Sequence, residues 1–128
     1  MSLSNLAQNQ YQITAAQTAS PEKLLLMLYD GAIKFSKAAI KELNDCQYEN
    51  ANTSLIKVEE IIEELIISLN MDYEISNYLQ RLYRYFIDSL VEANLRKDSA
   101  LVEQVLGFLM ELRETWAQAA QNTNKMPR

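Results

Sequence analysis

Apolar side chains recur at alternating spacings of three and four residues in four successive segments of this chain. This spacing returns a side chain to the same face of an α-helix on every turn, so it predicts four amphipathic helices. We place them at about residues 20–43, 49–69, 73–96 and 99–121. The chain contains only two glycines and two prolines, which is too few for a turn-rich β architecture. An all-α fold is therefore predicted.

The predicted helices are each about 30 Å long and are joined by short connections, so neighbours along the chain must run antiparallel. The 128 residues fall within the usual size of one domain. We therefore predict one antiparallel up-down-up-down four-helix bundle over residues 20–121. A short N-terminal arm, residues 1–19, precedes the bundle, and a polar tail, residues 122–128, follows it.

In each predicted helix, the most regular apolar row is expected to face the core. For the first helix this row is Leu25, Leu28, Ala32, Phe35 and Ala39, and for the second it is Ala51, Leu55, Val58, Ile62, Leu65 and Leu69. For the third helix the row is Ile75, Leu79, Leu82, Phe86, Leu90 and Ala93, and for the fourth it is Val102, Val105, Leu109, Leu112 and Trp116. Gly31 and Gly107 stand alone inside helices, where we expect close helix packing.

Several kinds of catalytic chemistry have no candidate residues. The chain has no histidine, which excludes imidazole bases, imidazole-based triads and the Glu-x-x-His metal sites of helical bundles. The acidic run EEIIEE, Glu59 to Glu64, is expected to be a solvated helix face, because Glu60 and Glu64 lie opposite the apolar row. The single Cys46 cannot form an internal disulfide. We predict that the protein is not an enzyme and needs no metal or cofactor.

The charge and hydropathy of the chain restrict its partners. A net charge of −5 and a pI near 4.7 argue against binding to a phosphate backbone, which requires a basic face. No run of about 18 apolar residues is present to span a membrane. The first twenty residues also lack the basic start and apolar stretch of a signal peptide. We therefore expect a cytoplasmic protein that binds neither nucleic acid nor membranes.

The first three helices carry more apolar side chains than a bundle helix needs, which is about three in seven. One explanation is a broad core, with or without a homodimer face. Another is a groove between helices that receives an amphipathic segment of a partner protein. The periodicity does not choose between these explanations. The candidate groove residues are Met27, Ile56, Tyr83, Ile87 and Val91.

The N-terminal arm is uncharged between Tyr11 and Ser20, and Tyr11 and Ile13 alternate with polar residues there. Such an arm is expected to lie over an apolar groove while no partner is bound and to be displaced on binding. The alternative is a frayed terminus whose apolar residue packs on the first helical turn.

Two stretches of the chain resemble a known family. They are TASPEKLLLMLYDGAIKF (Thr18 to Phe35), which follows Tyr11, and LQRLYRYFIDSLVEANLRKD (Leu79 to Asp98). Together with Trp116 near the end of the last helix, they are similar to the flagellin-specific export chaperones, the FliS family. The connection NMDYEIS departs from that family in lacking Gly-Gly before the third helix.

This resemblance implies a cytosolic four-helix bundle that binds the disordered C-terminal segment of flagellin. Such a protein prevents premature polymerisation of flagellin and assists its delivery to the flagellar type III export apparatus. The export gate, a co-chaperone and an anti-sigma factor are further candidate partners. By position, Tyr11 matches the arm tyrosine of the family, while Ile13 is assigned to the arm from its spacing alone.

Two alternatives from other functional classes stand beside this interpretation. A helical adaptor or regulatory bundle with a different protein partner would need the same surplus of apolar residues. A catalytic bundle would instead direct arginines inward, around a small acid. Arg81 and Arg84 are expected on the solvent face, which disfavours the catalytic alternative.

Overall fold

The computed structural model describes residues 20–125. They form four α-helices, α1 (Pro21–Asn44), α2 (Tyr48–Ile67), α3 (Glu74–Arg96) and α4 (Ser99–Lys125), and contain no strand. The all-α prediction is thus confirmed. The last helix is longer than predicted, because residues 122–125, expected in the polar tail, continue α4. Within residues 20–125, none of the helices has a stretch long and apolar enough to cross a membrane.

Local chemistry defines where the helices begin and end. Ser20 caps α1, since its Oγ accepts a hydrogen bond from the Lys23 backbone N–H at 3.2 Å, and Pro21 occupies the first helical position. Asp98 does the same for α4 by accepting from the Ala100 N–H at 3.0 Å. Lys97, between α3 and α4, has a positive φ of 56°. This left-handed residue ends α3 and turns the chain into α4 within two residues.

Side-chain pairs between helices show that neighbours run antiparallel. Arg113 of α4 pairs with Asp30 near the start of α1, whereas Ser99 at the start of α4 bonds to Asn44 at the end of α1. The other adjacent pairs follow the same rule, and contacts concentrate between α1 and α2, α2 and α3, α3 and α4, and α1 and α4. The four helices therefore close into an up-down-up-down bundle.

The core contains polar side chains that the predicted rows left out. On α1 the buried residues are Tyr29, Ala32, Ser36, Ala39 and Leu43. On α3 they are Ser76, Leu79, Tyr83, Phe86, Leu90 and Ala93. Both rows keep the alternating spacing of three and four, and they confirm Ala32 and Ala39 on α1 and Leu79, Phe86, Leu90 and Ala93 on α3. Other predicted positions are displaced by one residue: Tyr29 and Ser36 are buried rather than Leu28 and Phe35, and Ser76 and Tyr83 rather than Ile75 and Leu82. The rows predicted for α2 and α4 are largely confirmed, with Leu69, Leu112 and Trp116 half-buried against the core.

A hydrogen-bonded aromatic cluster crosses the bundle. The hydroxyls of Tyr29 and Tyr83 bond to each other on the diagonal between α1 and α3, and both side chains are buried. Trp116 of α4 donates its indole N–H to the Tyr29 hydroxyl at 3.2 Å. Burial raises the pKa of both phenols, most strongly that of Tyr83. Because the Tyr29 and Tyr83 hydroxyls are hydrogen-bonded, burying these two tyrosines carries no desolvation penalty for an unpaired group.

The two glycines have different packing. A Cβ on Gly31 would lie 3.2 Å from Ile61 Cδ1 of α2, so close packing explains this glycine. A Cβ on Gly107 would have nothing within 4 Å among the described residues. The expectation of close packing is wrong for Gly107, which lies on the exposed side of α4.

Candidate functional site

Two polar pairs show how α2 lies against α3. Asn94 Nδ2 donates to Asn52 Oδ1 at 2.6 Å, and Arg84 Nη1 lies 3.0 Å from Glu63 Oε1. These pairs are about ten residues apart on each helix, so they show the antiparallel register along most of the helix pair. The residues between the two pairs on the adjoining helix faces therefore lie opposite known positions of the other helix.

Three of the predicted groove residues lie between these polar pairs. Ile56 follows Asn52 by one turn on α2, while Ile87 and Val91 lie between Arg84 and Asn94 on α3. Ile56 is 43% exposed and Val91 is 42% exposed, whereas Ile87 is half-buried against the core. We call the surface formed by Ile56, Ile87 and Val91 the α2–α3 groove. It presents apolar side chains that the bundle buries only in part.

The groove continues into an open cleft at the end of the bundle where α2 begins and α3 ends. The cleft has a volume of about 370 Å³ and is lined by Tyr48, Glu49, Asn52, Asn94, Leu95 and Lys97. Leu95 is 75% exposed, and the Lys97 ammonium lies 5.3 Å from the centre of the Tyr48 ring. These residues were not predicted from the sequence. Leu95 follows Val91 by four residues, and this spacing would have found it, whereas Tyr48 lies eight residues before Ile56 with the polar Asn52 between them.

Tyr83 does not line the groove, contrary to the sequence prediction. Its side chain is 1% exposed and its hydroxyl bonds to Tyr29 inside the core. The error arose because Leu82 and Tyr83 both continue a helical row between Leu79 and Phe86, and the polar hydroxyl favoured placing Tyr83 outside. Leu82 is half-buried instead.

The remaining predicted residues are elsewhere. Met27 is half-buried on α1, which packs against α2 and α4, so it is not part of the α2–α3 groove. Tyr11 and Ile13, predicted to cover the groove, lie outside the described residues.

A second exposed apolar surface lies at the opposite end of the bundle, where α2 ends and α3 begins. We call it the end cluster; its members are Ile67, Met71, Tyr73, Ile75 and Tyr78. Ile67 is 72% exposed and Tyr73 is 64% exposed. Because α1 is antiparallel to α2, the N-terminus of α1 at Ser20 is at this same end. Ile75 was predicted to face the core, but it is 59% exposed.

The acidic and basic side chains around the groove make no metal or catalytic site. No group of three or more histidine, cysteine, aspartate or glutamate residues in the described chain could hold a metal ion. Glu59 is half-buried on the α3-facing side of α2, where burial, and then the nearby Glu60, raise the pKa of its carboxyl. Arg84 pairs with Glu63 at the surface and Arg81 is exposed, so neither forms the inward arginine cluster of a catalytic bundle.

Comparison with known proteins identifies the family. The family model for the flagellar protein FliS matches residues 3–123. The flagellar secretion chaperone FliS of Bacillus subtilis is 36% identical over 115 residues, which cover 90% of this chain and 86% of that protein. The chaperone of the same name from Salmonella typhimurium is 35% identical over 108 residues, covering 82% and 80% of the two chains.

A solved structure shows the same fold. It is described as the crystal structure of a flagellar chaperone from bacteria, and it aligns with a TM-score of 0.75 at 21% identity over 93% of this chain and 98% of its own. The family consists of chaperones rather than enzymes, which confirms that this protein is not an enzyme. The chain belongs to the FliS family of flagellar secretion chaperones.

Proposed function

We propose that this chaperone binds the disordered C-terminal segment of flagellin in the cytoplasm, prevents its premature polymerisation and assists its delivery to the flagellar type III export apparatus. The observation that carries this proposal is the exposed apolar α2–α3 groove in a chain that belongs to a family of flagellar secretion chaperones. An exposed Cys46 without a disulfide is compatible with a reducing compartment.

The size of the groove indicates that a bound segment must extend beyond it. Fully burying an isoleucine or valine side chain contributes about 1.5–3 kcal/mol. Because Ile56 and Val91 are already more than half buried, each has only about 1 kcal/mol left to gain. Ordering a disordered segment loses about 2–5 kcal/mol. The groove alone would barely offset that loss, so we place further contacts in the cleft and on the end cluster.

The N-terminal arm is proposed to cover part of this apolar surface in the free protein. Tyr11 is nine residues from Ser20, and an extended chain of that length reaches about 30 Å. The arm joins α1 at Ser20, at the end of the bundle that carries the end cluster. From there it can reach the end cluster and the nearer half of the α2–α3 groove. The apolar Tyr11 and Ile13 would then be displaced when flagellin binds.

Calorimetric titration with a synthetic flagellin C-terminal segment tests the proposal. We expect submicromolar binding with a negative heat-capacity change, and tighter binding by the variant Tyr11→Ala. The variant Val91→Glu should weaken binding at least tenfold, because it places a charge in the apolar groove. Met110→Glu is the matched control: Met110 is 48% exposed, but it lies on α4, away from the groove.

The outcomes separate the parts of the proposal. Equal losses in the Val91 and Met110 variants would remove the groove as the binding surface. Equal or weaker binding by Tyr11→Ala would remove the covering role of the arm. A folded protein that does not bind the flagellin segment would favour the alternative, an adaptor with a different protein partner.

A further inference from the structure

The pair Asn52–Asn94 has more hydrogen-bonding capacity than its own contact uses. A side-chain amide has two N–H donors and an oxygen with two lone pairs. The contact between the two residues uses one N–H of Asn94 and one lone pair of Asn52. The Asn94 oxygen accepts a long hydrogen bond of 3.4 Å from Lys97 Nζ, and within residues 20–125 no group accepts a hydrogen bond from the Asn52 amide nitrogen. A free donor and an incompletely used acceptor therefore belong to the same hydrogen-bonded pair of side chains.

The surroundings of this pair suit an uncharged ligand. The cleft around it is lined by one acidic side chain, Glu49, and one basic side chain, Lys97, so the lining has no net charge. The apolar part of the lining comes from Leu95 and the Tyr48 ring, both of them exposed. A neutral donor and acceptor next to apolar surface match a peptide main chain with a neighbouring apolar side chain better than they match a phosphate or a carboxylate.

The conformation of that peptide follows from its own hydrogen bonds. Main-chain groups inside a helix are already paired and have nothing to offer the two amides. A residue in extended conformation instead presents its N–H and C=O toward the same side. We propose that Asn52 and Asn94 bind one extended residue of the flagellin segment, with the Asn52 amide donating to its C=O and the Asn94 oxygen accepting from its N–H. This inference rests on the function proposed above.

The substitution Asn52→Asp separates this role from a structural one. The new carboxylate can still accept the hydrogen bond from Asn94, so the link between α2 and α3 is kept, but both free N–H donors are lost. We expect the flagellin C-terminal segment to bind about tenfold more weakly by calorimetry, the effect of leaving one main-chain carbonyl unpaired. The control is Asn50→Asp, the same charge change on an exposed residue of α2 that does not line the cleft.

The thermal midpoints of both variants should match that of the unchanged protein, and Asn50→Asp should bind within twofold of it. Equal binding by Asn52→Asp and Asn50→Asp would overturn the main-chain contact while leaving the proposed function intact. A failure of the unchanged protein to bind the segment would overturn both.

A second measurement locates the residue that is bound. In a series of flagellin segments, successive backbone amides are replaced by esters, which removes one N–H at a time and weakens the adjoining carbonyl acceptor. At one position the ester should weaken binding to the unchanged protein but have little further effect on Asn52→Asp. Additive losses at every position would contradict a direct contact between Asn52 and the peptide main chain.

Discussion

The substitution Tyr83→Phe tests whether the Tyr29–Tyr83 contact belongs to the core or whether Tyr83 serves the partner groove. Phenylalanine keeps the aromatic ring and its apolar burial, and it removes only the hydroxyl that bonds to Tyr29. Among residues 20–125, the change leaves the Tyr29 hydroxyl with Trp116 as its remaining hydrogen-bond partner. Stability should therefore fall, while the groove surface stays unchanged.

The expected magnitude follows from the hydrogen bond that is lost. A neutral hydrogen bond contributes about 0.5–1.5 kcal/mol net, and a buried polar group left partly unpaired adds to that loss. We expect the free energy of unfolding to fall by about 1–2 kcal/mol, which for a domain of this size lowers the thermal midpoint by roughly 3–10 °C. The more drastic Tyr83→Glu would place a carboxylate in a side-chain position that is 1% exposed, and should prevent folding.

Urea and thermal unfolding followed by circular dichroism at the helical minimum measure this change, and calorimetry measures binding of the flagellin segment. The matched control is Tyr85→Phe, the same substitution at a side chain that is 54% exposed, where we expect less than about 0.5 kcal/mol. Unchanged stability of Tyr83→Phe with a loss of flagellin binding would refute the core assignment and return Tyr83 to the groove.

Three further predictions concern stability. Ser36→Ala should raise the free energy of unfolding by about 1 kcal/mol, because the Ser36 hydroxyl is buried without a hydrogen-bond partner in the described structure. A lower free energy of unfolding, measured with urea, would mean that the hydroxyl is paired. Gly107→Ala should raise the free energy of unfolding by about 0.5–1 kcal/mol, because a Cβ at Gly107 has open space among the described residues. Gly31→Ala should raise it less or lower it, because its Cβ would lie close to Ile61. Equal gains in the two variants would contradict this packing difference. Above pH 10 the unfolded tyrosines lose protons while Tyr29 and Tyr83, with raised pKa values, keep theirs, so stability should fall as pH rises. Urea unfolding between pH 8 and 11 should show that the free energy of unfolding falls less with pH in the double variant Tyr29→Phe/Tyr83→Phe than in the unchanged protein. An equal decrease in both proteins would refute the link between stability and the ionisation of these tyrosines.

The fold could be predicted from the sequence because the alternating spacing of apolar residues persists over all four helices. The core-facing rows of α2 and α4 were also predicted well, since their buried positions are almost all apolar. On α1 and α3 single positions of the rows were misplaced by one residue, because Tyr29, Ser36 and Tyr83 are buried. Two of these hydroxyls satisfy each other across 54 residues of sequence, and a pattern within one helix contains no information about such a partner.

The exposure of two residues of the α2–α3 groove was predicted from the sequence. Ile56 and Val91 could be recognised because each exceeds the apolar stripe that its own helix needs. The cleft was missed, since the Asn52–Asn94 bond depends on the register between α2 and α3, which no single helix specifies. The end cluster was missed for a related reason: Ile75 fits the core row by spacing, but it lies in the first turn of α3, where the bundle no longer covers it.

The hydrogen bond between Trp116 and Tyr29 joins residues that are 87 positions apart, and Trp116 is the single tryptophan of the chain. Its fluorescence therefore reports when α4 packs against α1. That contact closes one of the longest loops of chain in this topology. Circular dichroism reports helix formation wherever it occurs. In a refolding experiment, a lag of the tryptophan signal behind the helical signal would show that the helices form before the ring of four closes, and that the bundle passes through an open, partly helical state.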